Sequence, residues 1–390
     1  MPADPDPVQE PSAAERAIVV ASLGAGRPGV YDIAFTLAFR SGCDVDRLRA
    51  AVEAFSTANP WTRRRYQRDG RRLGVIADGG PIPVESGATV LRTPLDVLGG
   101  PLVRFGLSAE PLAATVHLDL RIHHAIADGV SVALILDALV DAYRTGTARA
   151  LPFGSPSSAE RPAPGTPDPD EDRFAAAVGA LRTAADHPGR VVFDVPDRPA
   201  GQFYGAAARA LAGWAGTAAV AVSTPILGRR PAEMGSVGPY VRTVMLDFPQ
   251  TAAAAADLGN AAVAALRQEA FGGEPTLRPA RFPVVMVDRK GASLLDRVLD
   301  AELDIVLLDD PARAERKYPL HVSAYAVRGT QTVTIEGDGF PDVELDRLAD
   351  GLRAELATAA GAPVAVRPAP ERSAHPQRST PVPETAGGAR

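Results

Sequence analysis

One cysteine, Cys43, stands in a chain of 390 residues. That excludes an intramolecular disulfide, a cysteine-built zinc site and an iron–sulfur cluster. Lysine is almost missing as well: Lys290 and Lys317 are the two, so arginine carries the positive charge. With plentiful alanine, glycine and proline, this skew reads as GC-rich coding rather than as function. No apolar run reaches the roughly 20 residues that a membrane-spanning helix needs. Met1 to Ser12 is acidic and proline-rich, with no basic start and no apolar stretch, so a secretory signal is not expected. The net charge of −6 argues against nucleic acid as the main partner. No short-period repeat is visible, which argues against solenoids and propellers. A soluble cytoplasmic protein without membrane or nucleic-acid partners is the expectation.

What is present is an ordinary globular mixture, 46% hydrophobic and 23% charged. The length suits two or three average domains, or one large two-lobed unit with a sizeable core. Three stretches are expected to lack structure because they are polar or proline-rich: residues 1–13, residues 367–390 and an internal linker over 151–171. They bound an N-terminal half, residues 14–150, and a C-terminal half, residues 172–366. In the first, Tyr31–Phe39, Arg72–Ala77, Leu102–Leu107 and Thr115–Ile122 read as strands. Helical spacing covers Asp44–Phe55, with Asp44 as N-cap, and Val130–Tyr143. In the second, helices are expected over Phe174–Ala184, Phe203–Trp214, Ala252–Phe271 and Glu344–Ala360. Strands are expected over Ala218–Ser223, Val241–Asp247, Pro283–Asp288 and Ile305–Leu308. A hairpin is expected to turn at Gly329, Thr330 and Gln331. Both halves are therefore mixed α/β.

The densest chemistry lies in Arg121-Ile122-His123-His124-Ala125-Ile126-Ala127-Asp128-Gly129-Val130-Ser131, between a strand and a helix. Such junctions present side chains and backbone amides at a sheet edge, where α/β sites lie. Adjacent histidines on extended chain point to opposite faces, so one can face a cavity while the other is buried as a support. Asp128 can orient the turn, and Gly129 lets backbone pass close to another group. A histidine pair alone is common and carries no function by itself. No third ligand stands at a usual metal spacing. The whole His-His-x-x-x-Asp-Gly string is far more specific than the pair. The remaining histidines are plainer: His117 and His321 fall on strands, and His187 and His375 in loop or tail. Trp61 and Trp214 read as core or interface aromatics. Cys43 has no nearby base that would make it a nucleophile.

This string resembles the active-site signature of the condensation-domain superfamily, which includes condensation domains of nonribosomal peptide synthetases and chloramphenicol-acetyltransferase-like enzymes. Further segments follow in the family's order. Asp44 to Tyr66 resembles the first helix and the segment after it, and Thr93 to Leu107 the "D…GPLxR" strand. Thr217 to Arg230 is similar to the strand and turn ending in "GR", Val237 to Leu246 to "GxFVNTLxLR", and Tyr318-Pro319-Leu320 to "YPL". Departures are visible too. The early aromatic-and-glutamine motif is not seen, and Arg242 stands in place of the asparagine in "FVNT". The "HQDxPFxxL" segment is reduced to Phe271-Gly272-Gly273-Glu274-Pro275.

The resemblance implies two chloramphenicol-acetyltransferase-like lobes in a V-shaped pseudo-dimer, with an active-site tunnel between them. It implies that His124 is the active-site histidine and His123 a buried support. Asp128 is then structural and paired with an arginine, for which Arg229 is the candidate. Gly129 would offer backbone N–H to a developing oxyanion. Ser131, Tyr240 and Arg242 are expected at the substrate tunnel. Arg63, Arg64, Arg65 and Arg68 are candidates for docking a carrier protein, against the plainer reading of a solvated hairpin. No bound cofactor or metal is implied. The donor is a thioester on a carrier protein's phosphopantetheine, or on CoA, and the acceptor a small amine or alcohol. The expected activity is a free-standing condensation enzyme of natural-product biosynthesis, acting in trans. An acyl-CoA-dependent acyltransferase of the same fold and a non-catalytic recruitment module are the alternatives. The cyclization and epimerization relatives differ in motifs that this sequence does not share.

Overall fold

The computed structural model describes residues 9–358 apart from 27, 41, 71, 78–81, 87–88, 111–114, 157–168, 184–187, 250, 252, 272–276, 278–283, 291–304, 309–317 and 328. The chain opens with helix α1 (Ala13–Gly24), strand β1 (Asp32–Phe39) and helix α2 (Val45–Ala58). A hairpin follows, β2 (Arg64–Asp69) with β3 (Arg72–Ala77). Then come β4 (Val84–Ser86), α3 (Thr89–Arg92), β5 (Val103–Glu110), β6 (Thr115–His123) and α4 (Gly129–Thr145). After α5 (Pro169–Ala180) lie β7 (Gly189–Pro196), α6 (Ala200–Ala215), β8 (Val220–Leu227), β9 (Val241–Phe248) and α7 (Ala255–Phe271). Last come β10 (Val285–Lys290), β11 (Ile305–Leu308), β12 (Leu320–Val327), β13 (Thr330–Gly337) and α8 (Asp342–Thr358).

Two larger sheets organise the chain. One has the order β11-β1-β6-β5-β4, the other β7-β13-β12-β10-β8-β9, and β2 and β3 stand apart as a ribbon. Each larger sheet has its own hydrophobic core. Phe39, Phe55, Phe105, Leu118 and Ile135 belong to the first, and Phe174, Phe203, Val222, Ile335 and Leu352 to the second. In β1 the six residues Ala34–Phe39 are all buried, as an internal strand covered on both faces requires. Helix α4 starts on the Asp128 side chain and stops at Gly146, whose φ of +74° only glycine adopts cheaply. Trp61 and Trp214 are both core residues, one per cluster.

Several expectations need correction. Residues 9–13 are not loose. Gln9 bridges to Val75, and Ser12 caps α1 in a reciprocal pair with Glu15. The Ser-x-x-Glu spacing was a legible helix start. The stretch expected as a linker over 151–171 is structured at both ends. Leu151 is buried, Phe153 stacks on Trp61 with centroids 6.2 Å apart, and α5 begins at Pro169. Strand β11 does not stay with its own half of the sequence: it pairs antiparallel with β1. Val327 pairs with Thr330 and Ala326 with Gln331, so Thr330 and Gln331 belong to the strand and not to the turn of the late hairpin. Strand β7, unanticipated, pairs with β13. Residues 1–8, 367–390, 272–275, His187 and His375 lie outside the described residues.

Candidate functional site

The His-His-x-x-x-Asp-Gly string occupies the end of β6, a tight turn and the start of α4. The two histidines part as alternation on a strand dictates. His123 is 1% exposed, whereas His124 is half-buried. The Ile126 N–H donates to the His123 carbonyl at 3.1 Å, and the His124 N–H to the Tyr31 carbonyl at 2.7 Å. Nδ1 of His124 lies 3.2 Å from the Ala127 carbonyl oxygen. That oxygen has no proton to give, so Nδ1 carries the hydrogen and Nε2 the lone pair.

His123 has the opposite tautomer. Its Nδ1 accepts the Ala125 N–H at 3.1 Å, and its Nε2 faces Ser22 Oγ at 3.2 Å. Burial pushes its pKa from 6.5 down to about 4, with the neighbouring Asp32 carboxylate pulling weakly the other way. Asp32 stands opposite His123 in the β1–β6 register and accepts from Arg121 Nε at 2.7 Å. His123 is therefore a neutral support.

Asp128 is fully buried, and its Oδ1 accepts from the Ser131 hydroxyl at 2.8 Å. That oxygen also accepts the Ser131 N–H at 2.8 Å, capping α4. The same oxygen accepts from Arg229 Nη2 at 2.7 Å, and Oδ2 from Arg229 Nε at 3.2 Å. Neither side chain of this pair has exposed surface. Such a two-pronged charged contact is strong and directional. Arg229 Nη1 also donates to the carbonyls of Glu233 and Ser236, and the guanidinium lies 4.2 Å over the Tyr240 ring. The turn after β8 is thereby clamped to the start of α4.

Ser131 and Tyr240, placed at the tunnel wall from sequence, are buried inside this clamp. Ser131 Oγ accepts from Arg229 Nη2 at 2.8 Å and from the Gly238 N–H at 3.0 Å. Arg242, on edge strand β9, pairs with Glu269 of α7 at 3.0 Å and keeps about a third of its side chain exposed. Gly129 is exposed, and a Cβ there would meet nothing within 4 Å. Among the described residues none makes the close approach expected at Gly129. Close packing falls instead at Gly238, where a Cβ would run into the Gly154 carbonyl.

The arginine run divides. Arg64 is a structural residue: Nη2 donates to buried Glu15 at 2.6 Å, and the guanidinium covers the Phe153 ring at 4.5 Å. Arg63 is half-buried, donating to the Ser56 carbonyl at 3.1 Å, and Arg65 reaches the Gly99 carbonyl at 3.4 Å. Arg68 is exposed and bonds the Gly70 carbonyl at 2.9 Å. Arg64 is thus withdrawn from any docking surface. Burial raises the Cys43 thiol above its ordinary value, with the Asp44 carboxylate adding to it and the Tyr143 hydrogen bond opposing it, which leaves the thiol unsuited to a nucleophile. Among the described residues no cluster of three or more His, Cys, Asp or Glu side chains could hold a metal ion, and no helix is long and apolar enough to cross a membrane.

No family model matches the chain. Over 144 residues, 34% of the chain, it is 31% identical to malformin synthetase of Aspergillus brasiliensis, of which the match spans 3%. Peramine synthetase of Metarhizium majus is 34% identical over 132 residues, 32% of the chain, and the match spans 5% of that protein. Solved structures cover far more. The first condensation domain of the CDA synthetase superposes with a TM-score of 0.65 at 15% identity, covering 92% of this chain and 97% of that one. An epimerization domain of tyrocidine synthetase B gives 0.63 at 15% identity, covering 91% and 96%. A starter condensation domain of rhizomide synthetase, in a variant solved in complex with C8-CoA, gives 0.63 at 15% identity, covering 90% and 95%. The chain has the condensation-domain fold, the chloramphenicol-acetyltransferase-like α/β architecture that condensation and epimerization domains share.

Proposed function

We propose that this protein is an acyltransferase of the condensation type, joining a carrier-bound acyl thioester to an amine or alcohol. The observation that carries the reading is His124: its Nδ1–H is tied to the Ala127 carbonyl, so the basic nitrogen is Nε2. A neutral imidazole in this form takes a proton from a hydroxyl nucleophile as that oxygen attacks the thioester carbonyl. The C–O bond forms, the C–S bond breaks, and the proton passes to the departing thiolate. For a neutral amine, holding the nitrogen beside Nε2 supplies most of the benefit. The N–H of Gly129, an exposed residue at the start of α4, is our candidate to receive the oxyanion. Asp128 has no part in the proton transfer, because Arg229 and Ser131 occupy it.

The donor is proposed to arrive on phosphopantetheine of a carrier protein. CoA is the competing donor, favoured by the rhizomide synthetase neighbour that was solved with C8-CoA. The test offers acyl-carrier proteins and acyl-CoAs separately, with pooled amines and alcohols, and follows thioester consumption and product mass for wild type and His124→Ala. Product formed by wild type and lost in the variant is expected. Stable carrier binding with no product, unaffected by His124→Ala, would identify a recruitment module. Inversion of a carrier-bound aminoacyl centre without transfer would identify an epimerase.

A further inference from the structure

Helix α1 ends beside the histidine pair, and one of its side chains reaches it. Ser22 Oγ lies 3.2 Å from His123 Nε2. On its other side the His123 ring accepts the Ala125 N–H at Nδ1, 3.1 Å away. A neutral imidazole has one N–H, so in His123 that hydrogen is on Nε2 and Ser22 Oγ is its acceptor. Ala125 directly follows His124 in the chain. The turn has two further internal bonds, Ile126 N–H to the His123 carbonyl and His124 Nδ1–H to the Ala127 carbonyl. Helix α1 is itself fixed. Buried Glu15 accepts from Arg64 Nη2 at 2.6 Å, from the Tyr66 hydroxyl at 2.9 Å and from the Ser12 N–H at 2.9 Å. An acceptor on α1 is therefore held steady against the ring.

We propose that Ser22 is a positioning residue: by accepting the His123 Nε2–H it holds His123 in the tautomer that ties down Ala125, and so fixes the turn that presents His124. The consequence for turnover rests on the reading of His124 given above; the tautomer assignment does not. Without the hydroxyl, the buried Nε2–H has lost its acceptor. The other neutral tautomer puts a hydrogen on Nδ1, where it meets the Ala125 N–H, donor against donor. Either way the Ala125 bond weakens and the His124 turn loosens.

The experiment uses full-length protein with 15N-labelled histidine, in wild type, Ser22→Ala and Ser22→Thr. Long-range proton–nitrogen correlations read the tautomers of His123 and His124 at neutral pH, and acyl transfer reads kcat, KM and the pH profile. Wild type is expected to show His123 with Nε2–H and His124 with Nδ1–H. In Ser22→Ala both patterns should shift, and kcat should fall on the order of tenfold to a hundredfold at unchanged KM, the scale of a reacting group misplaced by about an ångström. Ser22→Thr restores both. Wild-type tautomers persisting in Ser22→Ala would overturn the proposal, as would equal loss in the alanine and threonine variants. Should wild type transfer no acyl group while Ser22→Ala still shifts the tautomers, the role of Ser22 stands and the assigned reaction falls.

Discussion

Replacing Asp128 with alanine tests whether it clamps the fold or performs chemistry. The substitution removes both charged contacts to Arg229, and the cap on the Ser131 N–H. Breaking a buried ion pair by deleting one partner costs roughly 3–5 kcal/mol, because the other charge is left uncompensated. A lost cap adds about 1 kcal/mol. Arg229 keeps its bonds to the Glu233 and Ser236 carbonyls and to Ser131 Oγ, which offsets part of that. The expected loss is therefore about 4 kcal/mol, a large share of the roughly 5–15 kcal/mol that stabilises a folded protein. Asp128→Asn retains an oxygen for the Ser131 N–H and should recover about 1 kcal/mol of it. Removing both charges together, in Asp128→Leu with Arg229→Met, should cost less than either single change, since no buried charge is left alone. Urea unfolding followed by tryptophan fluorescence is suited to this, because Trp61 and Trp214 report one from each core. If Asp128→Ala unfolds like wild type and yet transfers no acyl group, the clamp argument fails and Asp128 belongs to the chemistry.

Other expectations follow from the same geometry. Unfolded His123 titrates near 6.5, but the buried ring resists protonation down to about 4. The unfolded chain thus binds more protons in that window, so stability is full above pH 6.5 and falls as pH drops through it, by about 3 kcal/mol in all. His123→Asn keeps an acceptor for the Ala125 N–H and cannot titrate there, so its stability should change less between pH 6.5 and pH 4; identical slopes would refute this. Arg64→Ala should destabilise by about 2 kcal/mol through Glu15 while Arg68→Ala should not, checked by melting temperature. Gly238→Ala forces a Cβ into the Gly154 carbonyl and should cost about 3 kcal/mol or more, seen in the same denaturation assay. Gly129→Ala meets nothing, so its stability should stay within about 0.5 kcal/mol of wild type. A fall in its kcat would then report crowding of the bound thioester.

Most elements that carry their own signal are legible in the sequence alone. The apolar spacing of α2 and the Asp44 cap are local, and the cap is made as expected, to the N–H groups of Asp46 and Arg47. The Ser12-Ala-Ala-Glu15 start of α1 was equally local and went unread behind the proline-rich segment that precedes it. Strand β7 is hidden for a different reason: as an edge strand paired, among the described residues, with β13 alone, it shows mixed burial rather than clean alternation. The arginine run could not be sorted from its composition. Whether a guanidinium meets solvent or a buried carboxylate depends on Glu15, forty-nine positions away from Arg64 in the chain.

The sequence by itself determined the mixed α/β class, most of the regular elements and the position of the histidine string, because periodicity, caps and a seven-residue motif are written within a few neighbouring residues. Tertiary structure alone decided which groups around that string are tied into the packing. Ser131 and Tyr240 became parts of a clamp, β11 crossed to the first sheet, and the two histidines took opposite tautomers through Ser22, Ala125 and Ala127. A tautomer is set by which acceptor lies within about 3 Å of which nitrogen, and for His123 that acceptor comes from a helix a hundred residues away.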